Sequence, residues 1–140
     1  MIRKIMLIAF LVVICITATS IAAENKKEQQ AVSAAMKWLN LVDKGKYAES
    51  WNTAARYFKN AVTEDQWKGT LQSVRTPLGK LVARSVETTN YRTTLPGAPD
   101  AQYVVIRFKT SFENKKTAIE TVTPMMDEDG KWRVSGYYIK

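Results

Sequence analysis

The stretch YVVIRFKTSFENKKTAIETVTPMMDEDGKWRVSGYYI runs from Tyr103 to Ile139 and decides the fold. Its period is two: apolar and polar side chains alternate through Tyr103–Phe112, and Thr117–Met126 and Trp132–Ile139 follow with the same spacing. Alternation of this kind puts successive side chains on opposite faces of a strand. Asp129-Gly130 is a two-residue hairpin signal, because Gly tolerates the positive φ that such a turn needs. That loop makes Met125 face Val134, Thr123 face Gly136 and Thr121 face Tyr138. The loop Glu113-Asn114-Lys115-Lys116, with Phe112 opposite Thr117, makes Phe108 face Thr121 and Ile106 face Thr123. One face then collects Val104, Ile106, Phe108, Phe112, Ile119, Met125, Trp132, Val134 and Tyr138. The other collects Arg107, Lys109, Glu120, Arg133 and Ser135, with Lys109 opposite Glu120 and Glu128 opposite Lys131 as cross-strand charge pairs. A one-residue slip would mix the two faces.

Upstream, Leu81–Arg92 reads as a further strand, rich in Val and Thr, and Leu95-Pro96-Gly97-Ala98-Pro99-Asp100 as a rigid turn-rich loop. Before Pro77 the period changes to that of a helix. Ala31, Ala34, Ala35, Trp38, Leu39, Leu41 and Val42 form one stripe, ended by Asp43-Lys44-Gly45 with Gly45 suited to the left-handed position. A second helix carries Tyr47, Trp51, Ala54, Ala55 and Phe58. A third opens at Thr63-Glu64-Asp65-Gln66, a capping box with acids at the positive end of the helix dipole, and carries Trp67, Leu71 and Val74. Pro77 disfavours helix at Thr76, so this helix stops near Arg75. The expected architecture is α+β, with three N-terminal helices packed on the apolar face of a curved four-stranded antiparallel sheet.

The first 22 residues read as an export signal. Arg3 and Lys4 precede a twelve-residue apolar run, Ile5–Ile16, and small residues follow to Ala23. The run is short of the roughly 20 residues of a membrane span, so a cleaved signal peptide is expected, cut after Ala22 or Ala23. Val13, Ile14 and Ile16 around Cys15 are too bulky for a lipoprotein site. The expected division is 1–22 signal peptide, 23–30 flexible N-terminus and 31–140 one domain, in the periplasm or secreted.

Composition closes several chemistries. Among 140 residues there is one Cys and no His. Catalytic triads, Cys-His pairs and His-ligated metals are excluded, and no cofactor or metal is expected. Loss of Arg3 and Lys4 takes two from the net charge of +8 and leaves +6, a balance that favours anionic partners. Loss of Cys15 leaves a chain without disulfides that packing alone must hold. Asp127-Glu128-Asp129-Gly130 lacks the downstream Glu of a calcium loop. Lys26-Lys27 and Lys115-Lys116 come with no nucleic-acid motif, so no nucleic acid is expected as partner.

Trp38, Trp51, Trp67, Trp132 and Tyr138 lie at core spacing, and some of them are candidates for the rim of a hydrophobic pocket. Arg84 alternates with Val82 and Val86 and points inward, where a charge needs a partner. Either Arg75 and Arg84 bind a carboxylate or phosphate, or Arg84 pairs with an acid such as Asp43 or Glu87 and fixes the helix–sheet junction. The candidate ligand pocket is Trp38, Trp51, Trp67, Arg75, Arg84, Tyr103 and Tyr138, with no catalytic residue assigned.

The order of helices and strands resembles the cystatin-like, nuclear-transport-factor-like cone, in which the sheet curls around the helices. Trp38-Leu39-Asn40-Leu41-Val42-Asp43 with Gly45, Tyr47 and Ser50-Trp51 resembles the start of a bacterial secreted family, domain of unknown function 4019. So do Trp67, Arg75-Thr76-Pro77-Leu78-Gly79, Leu95–Asp100 and Gly130–Ile139. The likeness runs from about Ala31 to the end; this chain has Ala101 where the family often has Gly. The expected role is a noncatalytic binding or interaction module, taking a small apolar or anionic ligand in the cone or an envelope protein on the sheet. The alternative is a carboxylate-based isomerase or dehydratase. An unpaired inward carboxylate beside Tyr hydroxyls would favour the enzyme; a cone filled by Trp and Phe, with every inward charge paired, would count against it.

Overall fold

A computed structural model describes residues 2–140, with side chains described from Ala18 onward. The Arg3, Lys4 and Cys15 side chains of the expected leader lie outside the described residues. Among the described residues no helix is long and apolar enough to cross a membrane.

The first helix, α1, spans Ile2–Asp43. Its core stripe is Ala31, Ala35, Trp38, Leu39 and Val42, each at most 4% exposed. Gly45, at φ 72°, terminates it. The Lys46 amide donates to Leu41 and the Gly45 amide to Val42, which satisfies two carbonyls the helix would otherwise strand. Residues 23–30, expected as a flexible N-terminus, are helical. Glu28 ties them down by accepting from the Thr89 hydroxyl at 2.7 Å and from the Tyr91 amide at 3.2 Å.

The expected second helix is two short ones, α2 (Tyr47–Asn52) and α3 (Arg56–Ala61). The break falls at Ala54 and Ala55, both fully buried. Their small side chains let the backbone reach the last strand, where the Ala55 amide donates to the Val134 carbonyl at 2.8 Å. The next helix, α4 (Glu64–Arg75), has the expected capping box and buries Trp67, Leu71 and Arg75.

Four strands follow: β1 (Leu81–Arg92), β2 (Tyr103–Phe112), β3 (Lys115–Met126) and β4 (Trp132–Ile139), antiparallel in the order β1-β2-β3-β4. The helices pack on one face, over Val104, Ile106, Phe108, Val122 and Val134. Tyr103 and Met125 form a smaller cluster with Ala55, joined by Leu95, Ala98 and Ala101 from the turn-rich loop.

Two bulges correct the expected register. Between β3 and β4, Thr123 faces Gly136 and Thr121 faces Tyr138 as expected, but Met125 faces Arg133 and not Val134. The Asp127 amide bonds the Lys131 carbonyl, so the loop has three residues, Glu128-Asp129-Gly130, with Gly130 at φ 79°. The ladder recovers by leaving Ser135 unopposed beside Pro124, which has no N–H to give it. The Ser135 hydroxyl bonds the Thr123 carbonyl at 2.7 Å. The extra residue turns Tyr137 inward and Tyr138 outward, reversing the expectation for Tyr138, which is 54% exposed.

Between β2 and β3, Phe112 faces Lys115 and not Thr117, and a shift between Thr110 and Phe112 puts Phe108 opposite Glu120. Lys109 faces Ile119, so the expected Lys109–Glu120 surface pair does not form. The tip of this hairpin is held elsewhere. The Glu113 amide bonds the Lys80 carbonyl and the Asn114 amide bonds that of Leu78, both at 2.9 Å. Around the middle of β3 the faces are therefore the reverse of those expected, while Met125 is buried as expected, in the smaller cluster. Glu120 goes inside and is fully buried.

Candidate functional site

The inward turn of Glu120 builds the most polar point of the core. Arg84, from β1, lays its guanidinium across two carboxylates. Its Nε donates to Glu120 Oε1 at 2.7 Å, while Nη1 and Nη2 donate to Asp43 Oδ2 and Oδ1 at 2.7 and 2.9 Å. Asp43 closes α1, and Arg75 from the last turn of α4 donates to its Oδ1 at 2.8 Å. The Thr110 hydroxyl of β2 donates to Glu120 Oε1 at 2.6 Å, and the Tyr137 hydroxyl of β4 donates to Glu120 Oε2. One residue from each strand and two helix ends thus meet at one cluster. It holds two cations and two anions, so its formal charge is zero.

The electrostatics follow from burial opposed by pairing. Burial pushes the Asp43 carboxyl up, but the hydrogen bonds and charges of Arg84 and Arg75 outweigh it and hold the group below the usual carboxylate value. Burial lowers the affinity of Arg84 for its proton; Asp43 and Glu120 reverse that and raise it. Tyr137 is driven well above an ordinary phenol, first by burial and then by the Glu120 charge. All four carboxylate oxygens accept hydrogen bonds. Within the cluster Arg75 is short of partners: among the described residues its Nε and Nη1 have none, and its guanidinium lies 4.8 Å from the Phe112 ring centroid.

Aromatic rings fill the space beside this cluster. Trp38 meets Tyr137 edge-on at 5.3 Å, Trp67 lies 6.0 Å from Trp38, and Phe58 meets Trp67 edge-on at 4.9 Å. Buried Ser50 serves both indoles: Trp38 Nε1 donates to its carbonyl at 2.8 Å and Trp67 Nε1 to its hydroxyl at 3.0 Å.

Of the residues singled out from sequence, Trp38, Trp67, Arg75 and Arg84 are therefore drawn together. Arg84 takes the expected partner Asp43, and Glu87 pairs instead with Arg107 at 3.5 Å. Trp51 is half-buried and donates to the Val62 carbonyl at 2.7 Å. Tyr103 is buried in the smaller cluster, bonded to the Pro99 carbonyl at 2.5 Å. Tyr138 stands on the outer face. Glu120, Thr110, Tyr137 and Ser50 are the members that sequence reading missed. The signal for Glu120 was the inward Arg84, which needs inward negative charge; the signal for Tyr137 was Pro124, which invites a bulge.

A concavity lies elsewhere, outside this cluster. An open groove of about 600 Å³ runs between α1 and the start of β4, and of the singled-out residues Trp38 and Trp132 line it. Among the described residues no cluster of three or more acidic, Cys or His side chains is placed to hold a metal ion.

These features define an α+β domain whose helices are clamped to an antiparallel sheet by a neutral, buried four-charge cluster. The chain belongs to the family described as protein of unknown function (DUF4019), whose model matches residues 34–137. No curated protein matches it.

Proposed function

We propose that this chain is an exported, noncatalytic binding module of the bacterial envelope, with a nuclear-transport-factor-like cone closed on its own side chains. The observation that carries the reading is the full engagement of Glu120. An inward carboxylate beside a Tyr hydroxyl is what a carboxylate-based isomerase would need. Here that carboxylate is held by Arg84, Thr110 and Tyr137. Freeing it to act as a base would leave Arg84 and Arg75 facing Asp43 alone, one buried positive charge in excess, at a cost of roughly 3–5 kcal/mol. The aromatic filling around Trp38, Trp67 and Tyr137 supports the same reading, because a substrate would have to displace it. The basic, apolar and small-residue order of residues 1–23 supports export.

The test is native mass spectrometry of the protein purified from its own envelope. A ligand or partner bound in defined stoichiometry, and unchanged after incubation, is the expected result. Its conversion to a new product would overturn the noncatalytic reading, and a chain with nothing bound in any preparation would overturn the binding one. The same spectrum should show a chain starting at Ala23 or Glu24; a lipid on Cys15 would refute soluble export.

A further inference from the structure

We propose that the groove between α1 and the β3–β4 hairpin binds a small amphipathic anion, an apolar body with one carboxylate-like head. This rests on the binding-module reading and moves the ligand from the closed interior to the outside of the helix–sheet junction.

The groove is built from two directions. Ala34, Lys37, Trp38 and Leu41 recur at helical spacing on one side of α1, and Lys131 and Trp132 come from the hairpin and β4. Its lining is mostly apolar, through residues such as Trp38, Leu41 and Trp132, with Gln30, Ser33 and Thr53 beside them. Its volume of about 600 Å³ lies in the usual range for small-molecule sites, about 300–1,000 Å³.

Charge selects the head group. Among the described residues no acidic side chain lines the groove, whereas Lys37, Lys131 and Arg133 do. Arg133 is already committed: Asp129 takes it at 2.6 and 2.8 Å and Asp127 at 3.4 Å. Hydrogen bonding to Arg133 holds Asp129 down at about 2, so this acid stays charged and engaged. Lys37 and Lys131 form no ion pair among the described residues. Lys131 also feels the charge of Asp129, but neither lysine is held in an ion pair, and two such cations beside a mostly apolar groove suit one anion with a greasy tail. Trp132, which lines the groove, has an Nε1 that is shielded from solvent and meets no acceptor among the described residues, an uncommon state for a buried N–H.

The probes are decanoate, decanol and decyltrimethylammonium below their aggregation limits, titrated by calorimetry with tryptophan fluorescence in parallel. Decanoate is expected to saturate at one per chain. Decanol should bind about tenfold more weakly and the ammonium more weakly still. The double variant K37E/K131E should lose at least about tenfold for decanoate and gain for the ammonium. Both lysines are exposed, so this variant should keep the wild-type urea midpoint, which is measured alongside. Equal affinity for all three probes, or decanoate binding indifferent to the charge reversal, overturns the proposal. Sedimentation showing a dimer that blocks decanoate would assign the groove to a second copy and also overturn it. Failure of decanoate while the envelope-purified protein carries another ligand refutes this ligand class but leaves the binding-module reading standing.

Discussion

Replacement of Glu120 by Leu should be among the most damaging single changes in the protein. The side chain is fully buried and joins Arg84, Thr110 and Tyr137. Its loss leaves Arg75 and Arg84 facing Asp43 alone, one positive charge in excess inside the core. Breaking a buried pair from one side costs about 3–5 kcal/mol, a large share of the roughly 5–15 kcal/mol that holds a domain folded. With a urea slope of about 2 kcal/mol per M, the midpoint should fall by roughly 1.5–2.5 M. Arg84→Met should cost a similar amount, since Glu120 would then lose its cation and Asp43 would keep only Arg75. The double variant is the decisive one. It keeps Asp43 and Arg75 as a neutral pair, and its residual cost is the Thr110 and Tyr137 hydroxyls left without an acceptor, about 1–3 kcal/mol each. Its destabilisation should fall short of the sum of the singles by about 2 kcal/mol or more. Urea titration followed by tryptophan emission suits the measurement, because Trp38 and Trp67 flank Tyr137. Additivity within about 0.5 kcal/mol, or a Glu120→Leu cost under about 1 kcal/mol, would refute the cluster as described.

Alkaline stability offers a second check. The folded state holds Tyr137 protonated above its ordinary value of 10.0, so its contribution is complete below pH 10 and is lost as the pH rises further. The slope should reach about 1.4 kcal/mol per pH unit, and Tyr137→Phe should flatten the profile by one proton's worth; parallel profiles would argue against a shielded phenol. Exchanging Lys109 and Glu120 would be harmless if they faced each other in solvent. With Glu120 inside and Lys109 outside, the exchange buries an ammonium beside Arg84 and should abolish cooperative unfolding; a wild-type melt would show the register to be wrong. Gly79→Ala adds a Cβ 3.0 Å from Glu113 Cβ at a φ of +73°, and should cost about 1–3 kcal/mol. Gly97→Ala, with a φ of +76° but open space around the new Cβ, should cost only the backbone strain, about 1–2 kcal/mol; equal losses would mean that the contact with Glu113 is not felt.

Local chemistry was legible in the sequence wherever it acts over a few residues. Gly45 stops α1, Thr63 and Gln66 cap α4, and Leu81–Arg92 is a strand with the expected ends, because caps, turns and strand propensity are read from near neighbours. The split at Ala54-Ala55 was not legible, since the bond that causes it goes to Val134 at the far end of the chain.

The sequence by itself determined the α+β class, the order of its elements and the need of Arg84 for an inward anion. Only the tertiary structure decided which carboxylate would answer. In β3 both parities are mixed: Thr117, Ile119, Thr121 and Thr123 alternate with Ala118, Glu120, Val122 and Pro124. Side-chain polarity favours turning Glu120 outward. Two unopposed residues and a hairpin tip anchored to Leu78 and Lys80 turn it inward. The ions it meets there come from β1 and from the ends of α1 and α4. Strand periodicity reports a face only relative to its own neighbours; which face lies inside depends on bulges and on charges brought from distant parts of the chain.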